Sequence, residues 1–416
     1  MTETEAATTT PLEAIQKARE KWLNASTQSD LDEVERLYRW ALSSKKNIKT
    51  SGIQDDDSEP LKKKTKIGHC GLDRSDYINA SEKFALLLCQ SGRCKKAKKG
   101  LASIGFTCRL AKRVLDYPEE SEESCEDSSS HIDHKQQQKP APCTIVDNFL
   151  SQAELEGLQS VFESTTASYW TSHDYAVEPP SPYFSYVLTL EQIETDGFGF
   201  IGKLIQKVLH CSLLTDKFPK LSNTRYIEMW AHNRPHASGH QLHFDSDDEG
   251  RGGIRNPIIS TILYIADGDD DIAGGPSMVT NQKLSDEKLA SKGWMSSPKP
   301  YRLVAFDGRY LHGVVPGKGT QQGRRVTLMF AFWDDIKIRR GLGKGSARPF
   351  PKNVLPPWAS KLTKPMDENA AKTDNVYTNC KTTEPIELDR VYETLEGKAW
   401  KKNQKMPAYD EVFQGF

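Results

Sequence analysis

The sequence predicts an α+β multidomain chain in which an α-helical region precedes a β-rich domain, built as a sandwich or jelly roll. Apolar residues such as Leu31, Val34 and Tyr38 recur at helical spacing in the first part of the chain. Ser29 stands before this stripe and suits the N-cap of a helix. Between about residues 142 and 340, short apolar runs are separated by turn residues, which is typical of a sandwich or jelly roll.

The overall composition excludes several classes of protein. The 416 residues are enough for two or three domains, and a formal net charge of −1 provides no basic field for nucleic acid. No run approaches the roughly 18 consecutive apolar residues that a membrane span needs. The N-terminus lacks the basic and apolar regions of a secretion signal, and the cysteines form no CxxC pair. We therefore expect an intracellular protein, cytoplasmic or nuclear, with reduced thiols.

Composition divides the chain into four segments. Residues 1–118 form the expected α-helical region; Ala80–Leu101 is weakly similar to one tetratricopeptide-type hairpin, and a plain helical bundle fits equally well. The acidic, Ser- and Gln-rich residues 119–141 are expected to be a disordered linker. Residues 142–340 form the catalytic candidate. Residues 341–416 begin with several prolines and form a C-terminal extension to which we assign no chemistry.

The catalytic candidate opens with a short strand, Thr144–Val146, which leads into a helix. Ser151 and Glu154 have the spacing of a capping box at the start of this helix. One long helix is expected at about residues 191–209. The other strands are expected at Phe184–Leu190, Tyr226–Trp230, Ile258–Ala266, Arg302–Phe306 and Arg325–Trp333.

A His-x-Asp motif and a distant histidine form a candidate iron site. Residues i and i+2 of a strand point the same way, so His243 and Asp245 can ligate one metal ion. His312 follows the strand predicted at Arg302–Phe306 and can supply the third ligand. Two histidines and one carboxylate on Fe(II) leave positions open for a cosubstrate and O2.

Other histidines compete with this assignment. His131 and Asp133 repeat the spacing inside the linker, but no apolar strand surrounds them. We interpret His232, His236 and His240 as surface or structural residues, although His240 is the main competitor. His240 lacks a carboxylate two residues further on, which favours His243 as the ligand.

A candidate anion site follows on the last predicted strand. Arg325 and Thr327 share one face of this strand, and Arg324 lies on the opposite face. A buried arginine needs an anion, because an unpaired buried charge is costly. A dicarboxylate satisfies this requirement, since the guanidinium group can donate two parallel hydrogen bonds to one carboxylate. The alternative is that Arg325 pairs with an aspartate or glutamate of the protein.

These motifs together resemble the 2-oxoglutarate- and iron-dependent oxygenases, specifically the branch of the prolyl 4-hydroxylase catalytic domains. The resemblance covers roughly residues 142–335. The segments that carry it occur in the order that the family has, and they are Val146–Ser151, Arg225-Tyr226, His243-x-Asp245, Gly274–Ser277, Leu311–Pro316 and Arg325–Thr327.

The resemblance implies a double-stranded β-helix, which is a jelly roll with flanking helices packed on one side. It also implies Fe(2+), 2-oxoglutarate and O2 as the cofactors, with ascorbate as a support of the iron. Arg325 would bind the distal carboxylate of 2-oxoglutarate. The site residues that the resemblance implies are the iron ligands His243, Asp245 and His312 and the cosubstrate residues Arg325, Thr327 and Tyr226.

The expected activity is therefore hydroxylation of a C–H bond with release of succinate and CO2. The substrate is a protein, a peptide or a small molecule. Collagen-type prolyl hydroxylases carry lysine where Arg325 stands, so a proline substrate is not implied. Two alternatives remain open: a non-catalytic interaction protein made of helices and a jelly roll, and a cupin-type metal jelly roll, in which Arg325 has no role.

Overall fold

The computed structural model covers both parts of the predicted chain. The residues it describes are 9–23, 25, 27–43, 72–90, 96–97, 99–100, 108–118, 140–175, 183–196, 198–247, 254–265, 273–286, 288–318, 323–339, 347–365 and 380–394. The chain divides into two compact units: the described residues of the first lie in Met1–Arg109 and at Thr394, and those of the second lie in Leu110–Glu393. No helix of the described residues is long and apolar enough to cross a membrane.

Among the described residues, the first unit contains the α-helices α1 (Pro11–Leu23), α2 (Gln28–Ser43) and α3 (Arg74–Gln90). Tyr38 joins them, because its ring meets Trp22 edge-on at 6.4 Å between centroids and stacks on Phe84 at 5.7 Å. The residues between the halves of the expected tetratricopeptide-type hairpin, 91–95, lie outside the described residues, so this assignment stays a prediction.

The second unit combines helices with many short strands. Its helices are α4 (Lys112–Leu115), α5 (Gln152–Phe162), α6 (Ser168–Thr171), α7 (Leu190–Asp196), α8 (Gly199–Leu209), α9 (Ser212–Lys217) and α10 (Pro357–Thr363), with a 3-10 helix at Pro219–Asn223. The strands are β1 (Cys108–Leu110), β2 (Cys143–Asp147), β3 (Tyr186–Thr189), β4 (Tyr226–Pro235), β5 (His240–His243), β6 (Ile259–Tyr264), β7 (Ser277–Lys283), β8 (Gly293–Ser296), β9 (Leu303–Phe306), β10 (Tyr310–Val314), β11 (Arg324–Trp333), β12 (Arg348–Pro349), β13 (Lys381–Thr383), β14 (Ile386–Leu388) and β15 (Tyr392–Thr394).

Two sheets lie face to face in this unit. The larger sheet has the strand order β12-β3-β4-β11-β6-β9-β2-β13, and the smaller has the order β14-β8-β7-β10-β5. Side chains from both sheets meet in one core, where Tyr264, Phe306 and Met329 of the larger sheet join Val279 and Trp294 of the smaller. The prediction of a mixed helix and strand domain with a multi-stranded sheet is confirmed.

The long strand β11 separates two cores. Val326, Leu328 and Phe330 point outwards into a core that also contains Phe162 and Leu204 of the helices. The alternate residues of β11 point inwards, between the sheets. The prediction that Arg325 and Thr327 share one face therefore holds, and that face is the interior of the sandwich.

The start of α5 is formed as the sequence predicts. Ser151 Oγ accepts a hydrogen bond from the backbone of Glu154, and the Glu154 carboxylate accepts one from the backbone of Ser151. The single helix expected at about residues 191–209 is wrong, since α7 and α8 are separate. Phe198 has φ +41° and Gly199 has φ +50°, which a continuous helix does not permit. A side chain at Gly199 would also meet the carbonyl oxygen of Thr363.

Residues on both sides of the expected catalytic candidate, 142–340, belong to the second unit, which extends over Leu110–Glu393. Residues of the expected C-terminal extension complete both sheets: β12 pairs with β3, β13 with β2 and β14 with β8. These short strands cover the edges of β3, β2 and β8 and become the edge strands themselves, and short edge strands are less prone to pair with other chains. The expected linker falls mainly on residues 119–139, which lie outside the described residues, together with His131 and Asp133.

A buried ion pair holds the edge of the larger sheet together. Arg302, 1% exposed, donates from Nε to Asp147 Oδ1 at 2.6 Å and from a terminal nitrogen to Oδ2 at 3.1 Å. Thr383 of β13 donates to the same carboxylate at 2.6 Å, which ties the C-terminal strand to this pair. Burial alone would raise the pKa of Asp147, but the bonds from Arg302 and Thr383 keep it below its ordinary value.

We expect Arg302→Met to lower the free energy of unfolding of the second unit by about 3–5 kcal/mol, because it leaves a buried carboxylate without its cation. Urea unfolding followed by tryptophan fluorescence measures this. Arg309→Met, which removes an exposed pair with Asp307, is the control and should cost less than about 1 kcal/mol. Because the pKa of folded Asp147 lies below 3.8, the advantage of the wild type should persist above that pH and disappear as the pH falls through the lowered pKa. Equal stability of both variants would contradict a stabilising role for the pair.

Candidate functional site

The candidate metal site lies between the two sheets, where β5 and β10 run side by side. His312 of β10 lies directly opposite His243 of β5 in the antiparallel register. Asp245 follows two residues after His243, and its Oδ1 lies 3.4 Å from Nε2 of His243 and 3.5 Å from Nε2 of His312. The three ligand atoms all lie within 4.8 Å of one another. This arrangement can hold a metal ion on one face and leave the other face open.

Hydrogen bonds orient two of the three side chains. His312 Nδ1 lies 3.0 Å from the carbonyl oxygen of Tyr310, which can only accept, so Nδ1 carries the proton and Nε2 keeps its lone pair. Ser260 of β6 donates to Asp245 Oδ2 at 2.5 Å, which leaves Oδ1 facing the histidines. Asn256 donates to the backbone carbonyl of Asp245 at 2.6 Å and holds this residue beyond the strand end.

The electrostatics of the site keep its carboxylate charged. Burial would raise the pKa of Asp245, but His312 and His243 together hold it well below its ordinary value. His240 and His232 behave differently: burial, with the nearby arginine Arg234, lowers their pKa well below the usual histidine value. Both rings are therefore neutral at neutral pH. The site itself combines the carboxylate of Asp245 with the imidazole nitrogens of His243 and His312, a donor set that suits a divalent transition metal.

A second part of the site is built around Arg325 on β11. This side chain is only 2% exposed. It donates to Ser277 Oγ on β7 at 2.9 Å, and its guanidinium lies over the ring of Tyr264 at 5.2 Å. Tyr264 Oη in turn lies 2.9 Å from the same serine hydroxyl. No carboxylate pairs with Arg325 among the described residues, so the alternative of an internal ion pair finds no support there.

Polar atoms without partners indicate what this pocket would bind. Arg325 Nε and Thr327 Oγ1 are both buried, and neither has a hydrogen-bond partner among the described residues. A buried polar group without a partner costs free energy, so these atoms call for a ligand that supplies acceptors. A carboxylate meets both requirements, because it accepts several hydrogen bonds and neutralises the guanidinium.

The strand register places the two parts of the site at a suitable separation. Val279 of β7 lies opposite His312, and Ser277 lies two residues further along the same strand. Two residues of a strand span about 7 Å. The guanidinium of Arg325, bound to Ser277, is therefore displaced from the metal ligands by roughly the length of a five-carbon dicarboxylate.

A glycine makes room for the arginine stem. Gly274 has φ +100°, and a Cβ at this position would lie 2.7 Å from Cδ and 2.8 Å from Cβ of Arg325. Its backbone nitrogen donates to His236 Nδ1 at 2.9 Å, and His236 Nε2 lies 2.8 Å from the carbonyl oxygen of Lys318. Most side chains at Gly274 would be both strained and in collision with the arginine. His236 thus has a structural role, as the sequence indicates.

The structure does not bring Tyr226 together with the other predicted site residues. Tyr226 pairs with Trp333 at one end of the β4–β11 ladder, whereas Arg325 pairs with Arg234 at the other end. The separation is eight residues along β4, or about 26 Å. We therefore correct the assignment of Tyr226 to the pocket of Arg325.

Three residues that were not predicted as site residues from the sequence lie around Arg325, where Tyr226 was expected. His232 lies opposite Thr327, Arg234 lies opposite Arg325, and Tyr264 lies opposite Thr327 from the other side. The period of two along β4 and β6 could have identified them, because these residues share the inward face of their strands. Their positions next to Arg325 depend on how strands that are distant in sequence pair with one another, and the period of two does not predict this pairing.

No protein-family model matches the sequence, and no curated protein matches it either. Among solved structures, the chain is similar to a prolyl-4-hydroxylase from Pseudomonas putida, at 17% identity over 48% of this chain and 94% of that chain, with a TM-score of 0.29. A prolyl hydroxylase from Trichoplax adhaerens, in complex with a peptide fragment of the hypoxia inducible factor oxygen degradation domain, shares 17% identity, with coverage of 46% and 84% and a TM-score of 0.27.

The non-heme α-ketoglutarate-dependent carbocyclase SnoK from nogalamycin biosynthesis is also similar, at 8% identity, with coverage of 46% and 79% and a TM-score of 0.30. Prolyl hydroxylases thus occur among the similar structures, as the sequence resemblance predicts.

We expect His312→Ala to weaken binding of Co(II), a spectroscopic substitute for Fe(II), by more than about 100-fold. Loss of a direct ligand should exceed the 10–100-fold effect that is typical of an outer hydrogen-bond partner. Titration followed by the visible absorption of Co(II) measures the affinity. His210→Ala is the matched control, since His210 is exposed at the end of α8. Unchanged affinity in His312→Ala would remove this residue from the metal site.

Proposed function

We propose that the second unit, Leu110–Glu393, is an Fe(II)- and 2-oxoglutarate-dependent dioxygenase that hydroxylates a C–H bond of its substrate. The observation that carries the proposal is the convergence of His243, Asp245 and His312 on one point, in the same sandwich interior that holds the buried guanidinium of Arg325. A metal site alone would fit many activities. A second site that suits a carboxylate, about 7 Å further along the sandwich, favours an activity that uses 2-oxoglutarate.

The strand order supports the same proposal. From β4 to β11 the chain passes back and forth between the two sheets, with β4, β6, β9 and β11 in the larger and β5, β7, β8 and β10 in the smaller. This is the order of a double-stranded β-helix, the form of jelly roll that the sequence resemblance implies. In such a fold the interior of the sandwich is the natural place for a ligand site.

Each residue of the site has a defined task in the proposed reaction. His243, Asp245 and His312 would hold Fe(II). Arg325 and Thr327 would bind the distal carboxylate of 2-oxoglutarate and so fix the direction of its other end towards the metal ligands. When bound, iron and 2-oxoglutarate supply the oxidising chemistry with O2, in which C–H becomes C–OH and 2-oxoglutarate becomes succinate and CO2. Support of the iron by ascorbate is part of the proposal.

The protein contributes an enclosed reaction chamber around these groups. Phe306 packs against the ring of His312 at 4.5 Å between centroids, and Val279 and Tyr264 belong to the same apolar core. These side chains keep water from the inner side of the site. His243 remains 27% exposed at its side chain, so substrate and solvent reach the site from that direction.

Arginine substitutions test the cosubstrate assignment. We expect Arg325→Ala to raise the KM for 2-oxoglutarate about 10- to 100-fold or more, because it removes charge-assisted hydrogen bonds worth about 1.5–3 kcal/mol. Succinate formation with Fe(II) and ascorbate, in the absence of a prime substrate, measures this uncoupled turnover. Arg324→Ala is the matched control. Arg324 lies on the outer side, where it donates to the carbonyl oxygen of Asn233 at 2.8 Å, and its loss should leave the KM unchanged.

The same assay decides between the enzyme and the alternatives. A chain that forms no succinate under any of these conditions would favour the interaction protein made of helices and a jelly roll. Turnover that depends on iron but not on Arg325 would favour a cupin-type activity.

Gly274→Ala provides an independent test of the pocket. The added Cβ should displace the stem of Arg325 and raise the dissociation constant for 2-oxoglutarate about 10- to 100-fold. Isothermal titration of the Co(II)-loaded protein measures this constant. Co(II) affinity in the same preparation serves as the internal control, since the metal ligands lie on other segments. Wild-type affinity for 2-oxoglutarate in this variant would show that Arg325 does not anchor it.

A further inference from the structure

A buried glutamate lies on the inner face of the sandwich, beside the candidate metal site. Glu228 of β4 lies opposite Ala331 of β11, and Ala331 lies opposite Ser260 of β6. Ser260 donates to the metal-binding carboxylate of Asp245. Glu228 is therefore two strands away from Ser260, and the two backbone positions are about 10 Å apart across the sheet. A group at this distance is suited to hold one end of a substrate whose reacting carbon lies over the metal.

The carboxyl of Glu228 lies among neutral hydrogen-bonding groups, and no cation pairs with it among the described residues. Only 6% of Glu228 is exposed. Ser185 donates to its Oε1 at 2.5 Å and itself accepts from the backbone nitrogen of Ala347 at 2.6 Å. Burial raises the pKa of Glu228 to about 7, against the effect of Ser185, and the charges of Asp245 and Asp247 add to the rise. A buried carboxyl in this situation gains stability when a cation reaches it.

Aromatic rings adjoin this carboxyl. Trp230 is the next inward-facing residue on β4, and the ring of Tyr183 meets it edge-on at 6.3 Å between centroids. Tyr183 is 48% exposed. Burial of its hydroxyl, and then the charges of Glu228 and Asp245, raise the pKa of this phenol well above its ordinary value. The faces of tryptophan and tyrosine rings attract ammonium and guanidinium groups.

We propose that Glu228, Trp230 and Tyr183 bind the basic group of the prime substrate, so that the enzyme hydroxylates a lysine or arginine side chain of a protein or peptide. The inference rests on the proposed dioxygenase function. A carboxylate next to aromatic faces has the chemistry that recognises an ammonium or guanidinium. With that group at Glu228, the aliphatic carbons of the side chain extend towards Asp245, where the C–H bond is converted to C–OH.

Blocked alanine pentapeptides with one central residue test this proposal. The central residue is lysine, arginine, norleucine, citrulline or proline, and the measurements are succinate formation and the gain of one oxygen by mass spectrometry. We expect lysine or arginine peptides to stimulate turnover. Norleucine and citrulline, which keep the shape and lack the charge, should not. Stimulation by lysine but not arginine, or the reverse, identifies which basic group the pocket accepts.

The variant Glu228→Gln tests whether stimulation by basic peptides depends on the carboxylate of Glu228. This variant keeps the shape and the bond to Ser185, and it should raise the KM for the basic peptide about 10- to 100-fold. The ratio of peptide-stimulated to peptide-independent turnover should fall accordingly. Glu156→Gln, on the exposed surface of α5, is the matched control and should behave as wild type.

The possible outcomes separate this inference from the function on which it rests. Absence of any peptide-independent succinate formation in the wild type would refute the dioxygenase itself. Turnover that is present, but is stimulated equally by neutral or proline peptides or by no peptide, would overturn the basic substrate. Wild-type response of Glu228→Gln to basic peptides would overturn the role of Glu228 and leave it as a protonated structural acid.

Discussion

The antiparallel register of β10 against β5 and β7 is the constraint on which the site depends. It sets His312 opposite His243 on one side and opposite Val279 on the other. A slip of one residue would turn the histidine to the opposite face of its strand and remove it from the interior. The same register fixes Ser277 two residues beyond Val279, and with it the level at which Arg325 is held.

Charges are distributed unevenly along the interior of the sandwich. Arg325 lies at one level, Asp245 with its two histidines lies at another, and Glu228 lies at the level of Asp245 but two strands to the side. An apolar interior makes isolated charges costly, so each charged group favours a ligand of the opposite sign. The guanidinium favours a carboxylate, the carboxylate with imidazoles favours a metal cation, and the glutamate favours a basic group. The proposed cosubstrate, metal and substrate follow from this order.

Several features of the fold were predictable from local sequence, and others were not. The capping box of Ser151 and Glu154 forms as expected, because its interactions span only three residues. The break between α7 and α8 was missed, since it depends on the packing of Gly199 against Thr363 of a distant helix. The strands of the smaller sheet, which have three to seven residues, were also missed, because such short runs carry little periodicity.

The sequence by itself determined the chemistry of the site: His243 and Asp245 lie two residues apart on one strand end, and Arg325 and Thr327 alternate on another. These relations are set by the two-residue period of a strand and need no knowledge of the fold. Only the tertiary structure decided which strands lie side by side, and at which level. It therefore removed Tyr226 from the pocket, brought Tyr264 and Ser277 to Arg325, and set Glu228 beside the metal ligands, because pairing between distant strands is fixed by the packing of the whole sandwich.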